Sequence, residues 1–83
     1  MQAPSPKEAE MQPVTIRMAR PADAPAVHAL EELDSRRLAD GDVLLAEVGG
    51  EVRAAMTVGG SEAVADPFRP TADLVELLAL AAR

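Results

Sequence analysis

The chain has 83 residues, with 14 acidic and 8 basic side chains and a formal net charge of −6 at pH 7. It contains no cysteine, tryptophan or tyrosine. The lack of cysteine excludes disulfides, thiolate nucleophiles and sulfur-based zinc sites, and the negative charge opposes binding to the phosphate backbone of nucleic acid. The length fits one small domain with a small core, so we expect self-association.

The first 13 residues are rich in proline and charge, which predicts a disordered tail before a single domain over residues 14–83. This tail has no apolar signal-peptide core. The longest apolar run, Leu77 to Ala82, is too short to cross a bilayer. We therefore expect a cytoplasmic protein with no membrane partner.

The predicted domain begins with a strand and a helix. Apolar residues alternate with others over Val14–Met18, the period-two pattern of a strand buried on one face. Asp23 either lies near the positive end of the helix dipole or acts as the N-cap with Pro25 in the first turn, and the second register is favoured. The helix is predicted to end near Arg37 or Leu38. Its expected faces are Val27, Leu30 and Leu33 toward the core and Glu31, Glu32 and Arg36 toward water.

Glycine-rich turns organise the middle of the chain. Gly49-Gly50 separates apolar segments at 43–48 and 52–58 and predicts a β-hairpin, because both glycines can adopt the positive φ angles of a tight turn. A second turn at 59–61 leads into a short fourth strand at 62–65, which the following Asp-Pro pair ends. The edge of this fourth strand is expected to be open to pairing with another copy.

A leucine-rich helix follows, with Thr71 as N-cap and Asp73 in the first turn. Its predicted apolar positions are Leu74, Val75, Leu77, Leu78 and Ala81. They make a broad apolar face, although Leu80, Leu77 and Val75 cannot all face the same sheet. The elements together predict an α+β fold, β-α-β-β-β-α, with a mainly antiparallel four-stranded sheet.

This element order and the amino-acid sequences of several segments resemble a known family. Residues 16–19 followed by 21–27 look like the first strand and first helix of Gcn5-related N-acetyltransferase (GNAT) domains, and residues 45–52 look like their second and third strands. The resemblance covers residues 14–83 and implies half of the three-layer acetyltransferase fold. In this family the passage from the fourth strand to the next helix holds the pyrophosphate of acetyl-coenzyme A.

The chain departs from the family at that passage. Residues 66–73 lack the family's spaced glycines, Pro70 has no N–H, and Asp73 adds a negative charge where an anion would bind. The family's later strands and helices have no counterpart in the sequence. The residues that the resemblance leaves for cofactor binding are Arg69, Thr71 and Ala72.

Acyl transfer to an amine also needs a base and commonly an acid. The family's acid is often a tyrosine, and this chain has none. Glu47 and Glu62 are the catalytic candidates. His28 and Asp66 are further titratable groups, for which a surface position and a turn-shaping role are favoured. No metal site is expected.

Two functions follow as hypotheses. The first is a degenerate, non-catalytic GNAT-like domain without cofactor that acts as a small homodimer or a protein-binding module. The alternative is an acetyl-CoA-dependent N-acetyltransferase for an unknown amine, with a site completed by dimerisation. A decayed sequence without a selected role is a third possibility.

Overall fold

The computed structural model describes residues 13–60 and 62–82, so most of the predicted tail and Ser61 of the second turn lie outside the described residues. The α+β class and the element order are confirmed. The elements are β1 (Val14–Met18), a 3-10 turn (Pro21–Asp23), α1 (Ala24–Asp34), β2 (Val43–Val48), β3 (Glu51–Thr57), β4 (Ala63–Ala65) and α2 (Ala72–Ala81). In this part of the chain, neither helix is long and apolar enough to span a bilayer.

The four strands form one antiparallel sheet in the order β1-β2-β3-β4. Gly49 and Gly50 join β2 to β3 with φ angles of 59° and 85°, as the hairpin prediction requires. A register shift between Ala46 and Glu47 marks a β-bulge near this turn. The sheet is therefore a meander whose two edges are β1 and β4.

The helices cover opposite faces of the sheet, which gives three layers. Leu30 of α1 packs with Leu45, Ala55 and Val64 on one face. Leu74 and Leu78 of α2 pack on the other face, in a cluster completed by Leu44, Ala46, Ala54, Met56 and Ala82. Because strand side chains alternate between faces, the apolar runs of β2 and β3 supply both cores.

The predicted end of α1 is wrong. The helix ends at Asp34, and Ser35 adopts a left-handed conformation with φ 54°. The N–H groups of Ser35 and Arg36 both donate hydrogen bonds to the carbonyl of Glu31. A glycine in the left-handed conformation ends many helices in the same way. The helix therefore ends three or four residues earlier than the sequence predicts.

The predicted faces of α1 also need correction. Leu33 is 46% exposed, whereas Glu31 is half-buried and its carboxylate accepts the backbone N–H of Leu38. Pro25 lies in the first turn as expected, but the Asp23 side chain caps no N–H of α1. It binds Arg17 and the N–H of Arg20 instead.

The buried line of α2 is narrower than predicted. Leu74, Leu78 and Ala82 follow one another at intervals of four residues and face the sheet. Val75 is half-buried, whereas Leu77 and Ala81 are exposed. Thr71 occupies the N-cap position, although its side chain makes no capping hydrogen bond.

Candidate functional site

The most highly connected polar group in the described residues is the guanidinium of Arg17. Its Nη1 and Nη2 atoms donate to the two carboxylate oxygens of Asp23, each at 2.8 Å, and its Nε donates to Oε1 of Glu47 at 2.7 Å. The Asp23 carboxylate also accepts the N–H of Arg20 at 2.7 Å. We call Arg17, Asp23 and Glu47 the Arg17 cluster.

Three chain segments meet at the Arg17 cluster. Arg17 lies in β1, Asp23 precedes α1, and Glu47 lies in β2 beside the register shift that leaves Arg53 of β3 without a partner residue. Hydrogen bonds to the Arg17 guanidinium hold the pKa of Asp23 far below its ordinary value, and Asp23 and Glu47 together raise the pKa of Arg17. The cluster therefore holds fixed charges that join β1, β2 and the start of α1, and its geometry favours a structural ion pair.

An apolar groove of about 580 Å³ lies next to this cluster, between the start of α1 and the sheet. Its lining residues are Ala19, Arg20, Ala24, Pro25, Val27, His28, Glu31 and Val43. His28 stands at the rim, largely exposed, with Glu31 and Glu32 at 3.6 Å and 3.4 Å. This is the surface position that the sequence favoured for His28.

The two carboxylates predicted as catalytic bases lie at opposite ends of the sheet. Glu47 pairs with Val52 near the start of β3. Glu62 is exposed and precedes Ala63, whose partner Met56 is near the end of β3. Glu62 borders a separate depression of about 420 Å³ that also includes Arg37 and Thr57.

The predicted cofactor-binding residues form a third location. Arg69 is exposed in the loop between β4 and α2, and its N–H donates to the carbonyl of Asp66. The Asp66 carboxylate accepts the N–H of Phe68 at 2.9 Å, which is the turn-shaping contact expected of it. Thr71 and Ala72 begin α2.

The predicted site residues are therefore not gathered around one point of the single chain. Glu47 joins Arg17 on the α1 face of the sheet, whereas α2 and its first residues cover the other face. Arg69, Thr71 and Ala72 are close in sequence but share no hydrogen bond with Glu47 or Glu62 among the described residues.

Sequence reasoning missed the extent of the exposed apolar surface. Phe68 is 80% exposed and Leu80 is 61% exposed, and Leu77 on α2 is also exposed. On β1 the exposed apolar side chains are Val14 and Met18. The alternating pattern of β1 predicts one apolar face. It does not predict that α2 leaves the margin of this face exposed to solvent.

Comparison with known proteins gives no relative. The sequence matches no family model, and neither a curated protein nor a solved structure matches it.

Proposed function

We propose that this chain is a non-catalytic, GNAT-like domain that acts through protein–protein contact and forms a homodimer without bound cofactor. The observation that carries the proposal is the exposed apolar surface on α2, the preceding loop and β1. Single exposed apolar residues are common on protein surfaces, but Leu77 and Leu80 share a helix, and Val14 and Met18 share a strand. Burial of these exposed apolar side chains against another chain would remove them from water, which is favourable.

The placement of charged groups supports this reading over acetyl transfer. The base candidate Glu47 is engaged by Arg17, and Glu62 is at the far end of the sheet. The candidate anion contact, Arg69, belongs to the loop before α2. General-base catalysis requires the base and the bound acyl donor within hydrogen-bonding reach of one amine.

Sedimentation analysis of the full chain over a wide range of concentration tests the proposal. We expect the average mass to rise toward twice the chain mass as the protein concentration rises. A monomer throughout the range would overturn the homodimer.

The catalytic alternative is tested on the same sample by amide-resolved NMR with acetyl-CoA. Saturable shifts of Arg69 through Leu74, together with transfer of labelled acetyl to an amine that is lost in Arg69→Ala, would establish the acetyltransferase and overturn the non-catalytic function. We expect neither the shifts nor the transfer.

A further inference from the structure

Within residues 13–60 and 62–82, no strand pairs with the outer edge of β1. Ala19 donates its N–H to the carbonyl of Val43, and the carbonyl of Pro13 accepts the N–H of Gly49. In an antiparallel pair, alternate residues direct their N–H and C=O groups to the same neighbour. The odd-numbered residues of β1 therefore pair with β2, and Val14, Ile16 and Met18 direct their backbone groups away from the sheet.

The opposite edge of the sheet is short and partly capped. The N–H of Asp66 donates to the carbonyl of Arg53, so the N–H of Ala65 points away from β3. The carboxylate of Asp34, at the end of α1, accepts this N–H at 3.2 Å. A side chain that occupies an edge donor is one way in which proteins block further strand pairing. This finding makes β4 a poor pairing edge, contrary to the sequence-based expectation.

Among the residues that the structure describes, no side chain accepts an outward-facing N–H of β1 in this way. The strand is five residues long, contains no acidic residue or proline, and pairs with β2 without a bulge. Its one charge, on Arg17, is directed to Asp23 and Glu47. Charged side chains, bulges and prolines are the usual devices that blunt an edge strand, and β1 uses none of them at its outer side.

The side chains of β1 match a second copy of the same strand. Ile16 packs in the α2-side core, and by alternation Val14 and Met18 lie on the same face. If two β1 strands pair antiparallel about Ile16, each Val14 meets the partner's Met18. On the other face each Arg17 meets the partner's Thr15, so no like charges stand directly opposite one another.

We infer that the partner of this domain is a second copy of the chain, bound edge to edge through β1 with Ile16 opposite Ile16 on a twofold axis. This inference rests on the proposed function and assigns its interface. The two sheets then become one continuous antiparallel sheet, held by backbone hydrogen bonds from Val14, Ile16 and Met18 of each copy.

Helix α2 adds apolar side chains beside this junction. It packs over β3 and also approaches β2 and β1. Successive helix residues are about 100° apart, so Leu77 and Val75 lie on opposite flanks of the buried line through Leu78. Since α2 runs antiparallel to β4 and ends beside Gly59, its right-handed turn places Leu77 on the flank toward β1. In the pair, the two α2 helices flank the junction on the same face.

The first test places lysine at the edge. Met18→Lys puts a charge in the inferred junction, whereas Leu33→Lys makes the same charge change at an equally exposed residue of α1 (45% and 46% exposed). We expect Met18→Lys to raise the dimer dissociation constant about tenfold or more, while Leu33→Lys leaves it within about twofold of the wild-type value. Circular dichroism of each variant checks that it folds.

Equal effects of Met18→Lys and Leu33→Lys would overturn the β1 interface while leaving the homodimer intact. If a Phe68→Ser or Leu80→Ser variant alone dissociated the dimer, the interface would belong to the α2 side. The failure of the inference is therefore distinguishable from that of the proposed function, which a monomeric wild type would indicate.

The second test reads the register directly. The chain has no cysteine, so Ile16→Cys introduces a single thiol. Residues opposite each other in a hydrogen-bonded antiparallel pair have Cα atoms about 5.5 Å apart, within the range of a disulfide. Mild oxidation should yield a disulfide-linked dimer of Ile16→Cys and little of Leu33→Cys. Equal cross-linking of both variants would overturn the register.

The N-terminal segment of the same chain is the competing occupant of the β1 edge. Deletion of residues 1–12 distinguishes the two. The inferred interface predicts that the shortened chain dimerises as the full chain does. A monomeric full chain that dimerises only after the deletion would show that its own N-terminal segment covers the edge, and would overturn the inference.

Discussion

Arg17 shows how one side chain can replace an expected local contact with a distant one. The sequence around Asp23 favours a helix N-cap, yet the carboxylate turns back to Arg17, which also holds Glu47 of β2. A bidentate guanidinium–carboxylate pair is stronger and more directional than a single capping hydrogen bond. The ordering of the β1–α1 connection therefore depends on this residue.

The Arg17 cluster predicts a pH-dependent contribution to stability. Asp23 has a pKa far below its ordinary value of 3.8 in the folded chain, so the unfolded chain takes up its proton first as pH falls. The stabilisation is present above about pH 4 and is lost as the pH falls further. Asp23→Asn should lower the free energy of unfolding at pH 7, and the gap to wild type should narrow by pH 3.

Urea unfolding at both pH values measures this gap. Asp40→Asn is the control, since Asp40 is an exposed carboxylate of the loop after α1. We expect it to change the free energy of unfolding little at either pH. A gap for Asp23→Asn that is the same at pH 7 and pH 3 would mean that the charge of Asp23 is not what stabilises the fold.

Arg53, at the bulged end of β3, has a buried donor that lowers the stability of the fold. Its side chain is 13% exposed, and its buried Nε has no hydrogen-bond partner among the described residues, although Nη2 lies 3.0 Å from Oε2 of Glu51. An unsatisfied buried donor costs about 1–3 kcal/mol, whereas an ion pair with an exposed carboxylate contributes little.

We therefore expect Arg53→Met, which keeps the apolar stem, to leave the free energy of unfolding unchanged or raise it by about 1 kcal/mol. Arg53→Ala serves as the comparison, because it removes both the donor and the stem and should be less stable than Arg53→Met. Both are measured by urea unfolding at neutral pH. A loss above about 1 kcal/mol in Arg53→Met would refute the interpretation.

At the scale of elements, local signals in the sequence were enough where one short segment decides the structure. The hairpin at Gly49-Gly50 follows from two residues that tolerate positive φ. The end of α1 was missed because Ser35, rather than a glycine, adopts the left-handed conformation. No glycine precedes Gly41 in the sequence to mark the end of the helix. The position of this end depends instead on Glu31 and Asp34, whose carboxylates accept backbone N–H groups outside the helix.

The contacts of the candidate site also depend on residues that are distant in the sequence, so local patterns did not predict them. Arg17 and Glu47 are 30 residues apart, and their contact depends on the register of β1 against β2. Alternation alone gives the faces of each strand but not this register. The separation of Glu47 from Glu62 likewise follows from the meander and from no single motif.

Helix α2 predicts a large difference between two leucines. Leu78 is fully buried, whereas Leu80 on the same helix is 61% exposed. Leu78→Ala leaves a cavity between α2 and the sheet and should cost about 2–5 kcal/mol. Leu80→Ala should change the free energy of unfolding by about 0.5 kcal/mol or less under conditions where the protein is monomeric. Equal losses in urea unfolding would place α2 differently on the sheet.

The whole molecule has two thin cores rather than one thick one. Alanines occupy central positions of β2 and β3, among them Ala46, Ala54 and Ala55, so each helix approaches the sheet with little side-chain volume between them. Small domains bury a smaller share of their surface than large ones. Association with a second copy would compensate by covering the exposed margin of β1 and α2.

Net charge gives a prediction for this association. Each chain carries −6, so two copies repel at long range, while the β1 junction itself contains no acidic residue. Salt screens the repulsion and leaves the apolar contacts intact. Sedimentation at low and high sodium chloride should therefore show a lower dimer dissociation constant at high salt. A dissociation constant that rises with salt would indicate that opposite charges hold the interface.

The carboxylate of Asp34 bears on how many copies can assemble. When two chains join through β1, the β4 strands become the two ends of the combined sheet, and Asp34 occupies the N–H of Ala65 at each end. A sheet with one usable edge stops growing at two copies, whereas a sheet with two usable edges could add copies without limit. One helix-terminal side chain thus separates a closed pair from an open-ended ribbon.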